Sequence, residues 1–472
     1  MFPLLWQYKD EVKTMAQAFF GGVHPNDMKA ATNEKAIEQL QAPAQVVIPM
    51  SMHFGAPCTP TVSKGDYVKL GQKIGEFKGL GAPIHASVSG TVAAVEPRPY
   101  SMGGKVMSVV IDNDFKDDLS EEVHAPADPD ALSVEEMVEM VKQAGIVGMG
   151  GATFPTHTKI SSGIGKVDTV IINGAECEPY ITSDTRAMID YSFDVIAGCR
   201  LLQKFLKVPR IVFGIEDNKP ECIERYRELV SHEQNMEVMP LKAMYPQGGE
   251  KVLIYHVTGE KVPEGKLPLD VGAVVLNCTT ISSIARYCRT GLPLVKKCVT
   301  VDGSAVKNPM NVLVPIGTRM KDVFEATGGF KEEPKMVLYG GPMMGIAVPD
   351  LEQPILKNTN AILAFGEAEA TPPEPTACIK CGKCIAHCPL SLMPCEMETA
   401  YKKGNIERLM HLKVNLCMEC GCCSFICPAH RPLVQTNKLA KAQVMAYKNA
   451  LKAKAEAEKA KLEAEKQKEA AK

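Results

Sequence analysis

The chain has 472 residues, 45% hydrophobic, 23% charged and 6% aromatic, with a formal net charge of −2. A length beyond one compact core points to about three or more domains, and the absence of a basic excess excludes nucleic acid as the main partner. The apolar start, MFPLLWQYKD, is broken by Lys9, Asp10, Glu11 and Lys13, and no run reaches about eighteen apolar residues, so neither a signal peptide nor a membrane span is expected.

Residues 1–40 form a leading segment that contains Gly21-Gly22-Val23-His24-Pro25. Residues 41–118 alternate apolar and polar positions in VVIPMSMHF and ASVSGTVAAV, with KGD and SGT as turns, which predicts a small β-sandwich of the lipoyl-carrier type. The expected hairpin tip reads PIHASVSG and holds no lysine, so this sandwich packs or docks and carries no covalent swinging arm.

Residues 125–292 read as an α/β domain. Ser133 followed by Glu135 and Glu136 starts a helix over SVEEMVEMVKQAG. It leads into IVGMGGATFPTHTKI, where Gly148, Gly150 and Gly151 let backbone amides approach a phosphate or a flat ring and Lys159 supplies a cation. VDTVIING is a buried strand ending at Asn173, and Glu176 and Glu178 follow at its C-terminal edge, where open α/β sheets bind ligands. Residues 293–350 read as a smaller α/β module in which Gly340-Gly341 and Met343-Met344 suggest turns and packing, with no chemistry attached.

Residues 368–440 carry the strongest signal. Cys378, Cys381, Cys384 and Cys388-Pro389 repeat as Cys417, Cys420, Cys423 and Cys427-Pro428. This is the two-cluster ferredoxin pattern, in which the fourth cysteine of each run reaches the other cluster. One [4Fe–4S] cluster would take Cys378, Cys381, Cys384 and Cys427, and the other Cys417, Cys420, Cys423 and Cys388. A zinc scaffold explains neither the three evenly spaced cysteines nor the Cys-Pro, written twice. Cys422 is a spare thiol beside the ligands and Cys395 reads as structural. Residues 441–472, rich in Ala, Lys and Glu, read as a charged helix or a disordered tail.

GMGGATFPTHTK and NGAECEP resemble the flavin-carrying, NADH-oxidising subunit of respiratory complex I, as do YPQGGEKVLI at 245–254 and LNCTTI at 276–281. The resemblance implies FMN binding by Gly148, Gly150, Gly151, Lys159, Asn173, Glu176, Tyr245, Glu250, Asn277 and Thr280. It places Glu178 near the nicotinamide nucleotide and Phe154 near its adenine, and assigns Glu176 and Glu178 as the catalytic pair. Met149 stands where that family often has arginine, and Gly249 replaces the first of two adjacent glutamates. The 293–350 module resembles the β-grasp (SLBB-like) insert of the same complex I protein.

The order of sandwich, flavin domain, β-grasp and ferredoxin resembles the C component of the Rnf complex, a membrane-bound, ion-translocating ferredoxin–NAD oxidoreductase. The resemblance implies a peripheral protein on the cytoplasmic side of the cell membrane that exchanges hydride with NAD(H) at FMN. Single electrons would pass through two [4Fe–4S] clusters to the membrane subunits and to the iron–sulfur B component of the complex. Such a flavin belongs where two-electron and one-electron carriers meet. The alternatives are a soluble flavin/iron–sulfur cobalamin reductase, a diaphorase component of a hydrogenase, and a non-catalytic electron-transfer adaptor.

Overall fold

The structure, a computed structural model, describes residues 21–470 apart from 102, 127 and 130. The reading of the first twenty residues as neither leader nor span falls outside them. Among the described residues no helix is long and apolar enough to cross a membrane. The chain divides into two compact units, His24–Pro372 and Pro373–Lys472, the latter joined by the short stretch ending at Val23.

In the first unit, strands Gln45–Pro49, Lys105–Asn113, Gly90–Pro99 and Tyr67–Val68 form an antiparallel sheet beside a second one of Thr59–Pro60, Lys73–Glu76 and Ile84–His85. Alternate residues face the core, so Val46 pairs with Ile111 and Ile48 with Val109, all fully buried. The SGT turn needs its glycine, because a Cβ on Gly90 would fall 1.9 Å from the Asp112 carbonyl oxygen. The PIHASVSG segment is buried along its length. Ser87 donates to the Ile316 carbonyl and the Lys357 ammonium to that of Pro83, so the segment packs, as its lack of lysine implied.

A parallel sheet follows, in the order Met236–Leu241, Arg210–Glu216, Thr169–Gly174, Ala273–Asn277. Helices cover it, so strands such as RIVFGIE are almost continuously buried, as parallel strands are. The Val134–Gln143 helix starts on the expected capping box, with Ser133 Oγ accepting the Glu136 N–H at 3.2 Å and the Glu136 carboxylate accepting the Ser133 N–H at 2.8 Å.

A six-stranded mixed sheet completes the unit. It contains Lys296–Asp302, Met310–Pro315, Met336–Tyr339 and Ile346–Ala347, and also Ala361–Phe365 and the N-terminal Glu38–Gln39. The last two lie outside the 293–350 stretch. Ala361–Phe365 enters by parallel pairing with Lys296–Asp302 and Glu38–Gln39 by parallel pairing with Met310–Pro315, long-range contacts that no local pattern announces.

The second unit is helical. Lys383–Ala386, Pro394–Lys402, Ile406–His411 and Cys422–Phe425 pack beside the first turns of a 38-residue helix, Leu433–Ala470. The tail of the chain is therefore helix to Ala470. Gly21 joins this unit with φ +90°, where a Cβ would meet the Cys388 carbonyl at 2.8 Å, and the Gly22 N–H donates to the His387 carbonyl at 3.0 Å.

Candidate functional site

The strand order places Thr169–Gly174 and Ala273–Asn277 side by side where the sheet's progression reverses, the point at which open α/β sheets bind ligands. Asn173 and Asn277 are register partners there. The Asn277 side chain accepts the Thr279 N–H at 2.9 Å and caps the Cys278–Thr290 helix, and its amide donates to Asp184 at 2.6 Å. The Asn173 amide donates to the Gly248 carbonyl at 2.9 Å, which fastens the 245–250 segment over the same edge.

The glycine loop lies beside this edge. The Gly148 N–H donates to the Phe154 carbonyl at 2.9 Å, closing the loop as a hairpin, and the Met149 N–H donates to Thr280 Oγ1 at 3.1 Å. Met149 points its side chain into the core. A Cβ on Gly150 would come within 3.0 Å of Asn277 Nδ2, whereas Gly151 faces open space. Lys159 donates to Glu250 at 2.6 Å and to the Val275 carbonyl at 2.7 Å. Gly148, Gly150, Lys159, Asn173, Glu250, Asn277 and Thr280, all expected to hold the flavin, thus come together at one sheet edge, although they come from separate parts of the chain.

The two glutamates are placed differently. Glu176, at φ +44°, turns its carboxylate onto the N terminus of the Ser183–Asp190 helix and accepts the N–H groups of Asp184 at 2.6 Å and Thr185 at 2.9 Å. Burial raises its pKa, and the Lys29 ammonium opposes that shift. Its geometry holds the segment in place. Glu178 accepts the main-chain N–H groups of Met343 at 3.1 Å and Met344 at 2.8 Å, and lies 3.5 Å from the Tyr245 hydroxyl. Burial pushes its carboxyl up to about 7, against the opposing pull of those two amides.

Four further residues at this site are not among the expected site residues. Lys29 is buried and donates to the carbonyls of Glu176 at 3.0 Å, Glu178 at 2.9 Å and Ile181. Gly341 admits Glu178, since a Cβ there would fall 2.2 Å from Oε2. Lys357 donates to the Gly145 carbonyl at 2.7 Å and Asn358 to that of Gly151 at 3.3 Å, so the two grip both ends of the glycine loop. Of these positions, local pattern marks Gly341 alone, and only as part of a turn.

The edge suits a flat cofactor with polar substituents. Gln247 Oε1, in the segment fastened over this edge, and Thr156 Oγ1, just past the loop, are buried without a hydrogen-bond partner. At Gly151 the space above the loop is open, so a larger side chain there would fill it.

In the second unit the eight repeated cysteines line two cavities. Cys388, Cys417, Cys420 and Cys423 face one, and Cys378, Cys381, Cys384 and Cys427 the other. Each cavity draws three thiols from one run and the fourth from its counterpart. Cys422 and Cys395 also line these cavities. The backbone repeats with the cysteines: Lys380 and Glu419, Gly382 and Gly421, and Ser391 and His430 all adopt positive φ. Among the described residues no group of His, Cys, Asp and Glu is gathered tightly enough to hold one metal ion.

The fold and site define a chain built around a flavin-type α/β domain. The family model of the Nuo51 FMN-binding domain matches residues 141–286, that of the RnfC barrel sandwich hybrid domain 17–116, and that of the SLBB domain 298–347. The chain is 42% identical over 430 residues to the C component of the Na(+)-translocating ferredoxin:NAD(+) oxidoreductase complex of Acetobacterium woodii, covering 91% of this chain and 97% of that protein. It is 44% identical over 382 residues to the C component of the proton-translocating ferredoxin:NAD(+) oxidoreductase complex of Clostridium ljungdahlii, covering 80% and 83%. A chain of an NAD+-reducing [NiFe]-hydrogenase crystal structure superposes with a TM-score of 0.47 at 19% identity, covering 67% of this chain and 63% of that one. The chain belongs to the RnfC family, the C components of the ion-translocating ferredoxin:NAD(+) oxidoreductase complexes.

Proposed function

We propose that this chain is the NAD(H)-reactive peripheral component of a membrane-bound, ion-translocating ferredoxin:NAD+ oxidoreductase, lying on the cytoplasmic side of the membrane. Its direct partners would be the membrane subunits and the iron–sulfur B component of that complex. In this reading residues 41–118 are a lipoyl-like sandwich, 125–292 the FMN domain, 293–350 a β-grasp module extended by later strands, and 368–440 a two-cluster ferredoxin domain.

The observation that carries the reading is the three-plus-one sharing of eight thiols between two cavities, in a chain that also has an FMN-binding domain. Four thiols around a cavity suit a polyatomic iron–sulfur centre better than a single tetrahedral ion, whose ligands converge on one point. Bound at this edge and between these thiols, FMN and [4Fe–4S] clusters would supply two-electron chemistry with NADH and one-electron transfer respectively.

The chain's own residues do the positioning. Gly148, Gly150 and Gly151 keep the loop thin enough for a ring to lie on its backbone. Asn173, Asn277 and Thr280 fix the sheet edge beneath it, and Lys159, held by Glu250, supplies the cation near the cofactor. Tyr245 and the amides of Met343 and Met344 orient Glu178, whose carboxyl stays partly protonated near neutral pH and can hold or give up a proton there. Glu176 and Lys29 hold the segment that carries it.

The test is anaerobic reconstitution of the full chain with iron, sulfide and FMN. The expected outcome is broad iron–sulfur absorbance, about eight iron atoms per chain, bound FMN released on acid precipitation, and NADH-dependent reduction of a viologen dye. Clusters without flavin or dye reduction would leave an electron-carrying adaptor, and colourless protein would end the reading altogether.

A further inference from the structure

The eight cysteines of the two runs are not the whole thiol lining of the helical unit. The cavity of about 520 Å³ that Cys378, Cys381, Cys384 and Cys427 face is also lined by Cys395, which stands outside both runs. A [4Fe–4S] centre takes four thiolates, so one of these five thiols is in excess. Spacing alone reads Cys395 as structural. A structural cysteine is ordinarily buried and inert, whereas Cys395 is only partly buried and sits at the cavity wall.

Cys395 is held against one ligand position in particular. It is the second residue of the Pro394–Lys402 helix, whose opening N–H groups have no partner within the helix. Its own N–H donates to the Cys384 sulfur, and the two thiols are hydrogen-bonded to each other. The helix that carries it is fastened. Met397 is fully buried, the Thr399 hydroxyl donates to the Cys395 carbonyl at 3.0 Å, and the buried Glu398 lies 3.0 Å from Lys402 and 2.7 Å from Arg431. Arg431 donates in turn to the Thr376 carbonyl at 2.8 Å, which ties the helix to the start of the first run. This cavity is also the more open of the two at its thiols, since Cys378 and Cys381 are exposed while Cys420 and Cys423 are buried. Oxidative damage follows exposure, so a spare thiol has its use here.

We propose that Cys395 is a reserve ligand of this centre: once Cys384 is lost as a ligand, the Cys395 sulfur takes over its iron. The iron–sulfur bond to Cys384 breaks and one to Cys395 forms. The proton that Cys395 gives up passes to Cys384, or to solvent where residue 384 has no thiol, and no electron is transferred. This rests on the reading of the cavity as a [4Fe–4S] site.

The test is iron content and EPR of the full chain reconstituted anaerobically with iron and sulfide. Cys395→Ala should keep about eight iron atoms per chain, Cys384→Ala also about eight, and the double variant about four. Mass spectrometry after alkylation should find Cys395 labelled in the reconstituted unsubstituted chain and protected in reconstituted Cys384→Ala. Cys384→Ser is the second variant. Its hydroxyl is a harder and poorer ligand for this iron than a thiolate, so Cys395 should displace it and be protected there too. A Cys384→Ala chain holding no more iron than the double variant, or Cys395 labelled in both substituted chains, would overturn the inference. The proposed function fails separately: an unsubstituted chain that takes up no iron sinks that reading, whereas about eight atoms there and about four in Cys384→Ala sink the reserve ligand alone.

Discussion

The carboxylate of Glu178 accepts the main-chain N–H of Met344 at 2.8 Å, which ties the acidic segment of the flavin-type domain to a loop of the following sheet. Burial holds this carboxyl near 7, above its ordinary 4.5. Between those values the unfolded chain is ionised there while the folded chain keeps its proton, so the folded state binds more protons and stability falls as pH rises. Replacing Glu178 with Gln should remove about 1–3 kcal/mol of that fall. Thermal midpoints of the two proteins from pH 4.5 to 8 should diverge up to about pH 7 and then run parallel. A constant difference across the range would show that Glu178 does not titrate there.

Gly341→Ala offers an independent approach to the same pair. Its Cβ would fall 2.2 Å from Glu178 Oε2, so the carboxylate must leave the Met343 and Met344 amides or the loop must move. A loss of about 1–3 kcal/mol in chemical denaturation is expected, as for other overpacked sites. In the double variant with Glu178→Gln the loss should be clearly less than additive.

Lys357 has the opposite sign. Burial lowers its pKa from 10.5 to about 8, so in that window the unfolded chain binds the extra proton and stability rises with pH. Lys357→Met should abolish this alkaline gain, about 1–3 kcal/mol. It should also weaken FMN retention, measured by fluorescence after gel filtration, because the Gly145 carbonyl loses its donor at one end of the loop. Unchanged retention would mean that the loop holds its shape without this grip.

The crossed thiol sets predict which half of the iron is lost with each cysteine. Cys427→Ser should cost about four of eight iron atoms per chain and spare the centre lined by Cys417, Cys420 and Cys423. Cys388→Ser should spare the centre lined by Cys378, Cys381 and Cys384. EPR of the two reduced variants should then show complementary signals. If Cys427→Ser removed the signal that Cys417→Ser removes, the crossing would be wrong.

The sequence revealed the parts whose geometry is local. Cysteines with two or three residues between them lie close together in a tight loop, and the crossed sets expected from the repeated pattern are the sets that line the two cavities. The glycine loop and the capping box at Ser133 and Glu136 are local in the same sense. What stayed hidden depends on contacts between distant segments. The pairing of Asn173 with Asn277 follows from parallel strand order, which spacing does not encode. Lys29, Gly341 and Lys357 act as single residues reaching into other modules, and no periodicity marks a lone residue. The commitment of the Glu176 carboxylate to a helix N terminus was invisible for the same reason: the neighbouring Glu178 looks alike in sequence and points elsewhere.

The interleaved cysteine runs have a consequence for how the helical unit can be divided. Neither run owns a complete enclosure, since each borrows one wall from its counterpart. Truncation between Pro389 and Cys417 would therefore leave no half-sized carrier behind, only three stranded thiols and a surplus one. The smallest piece that keeps either enclosure closed therefore contains both runs.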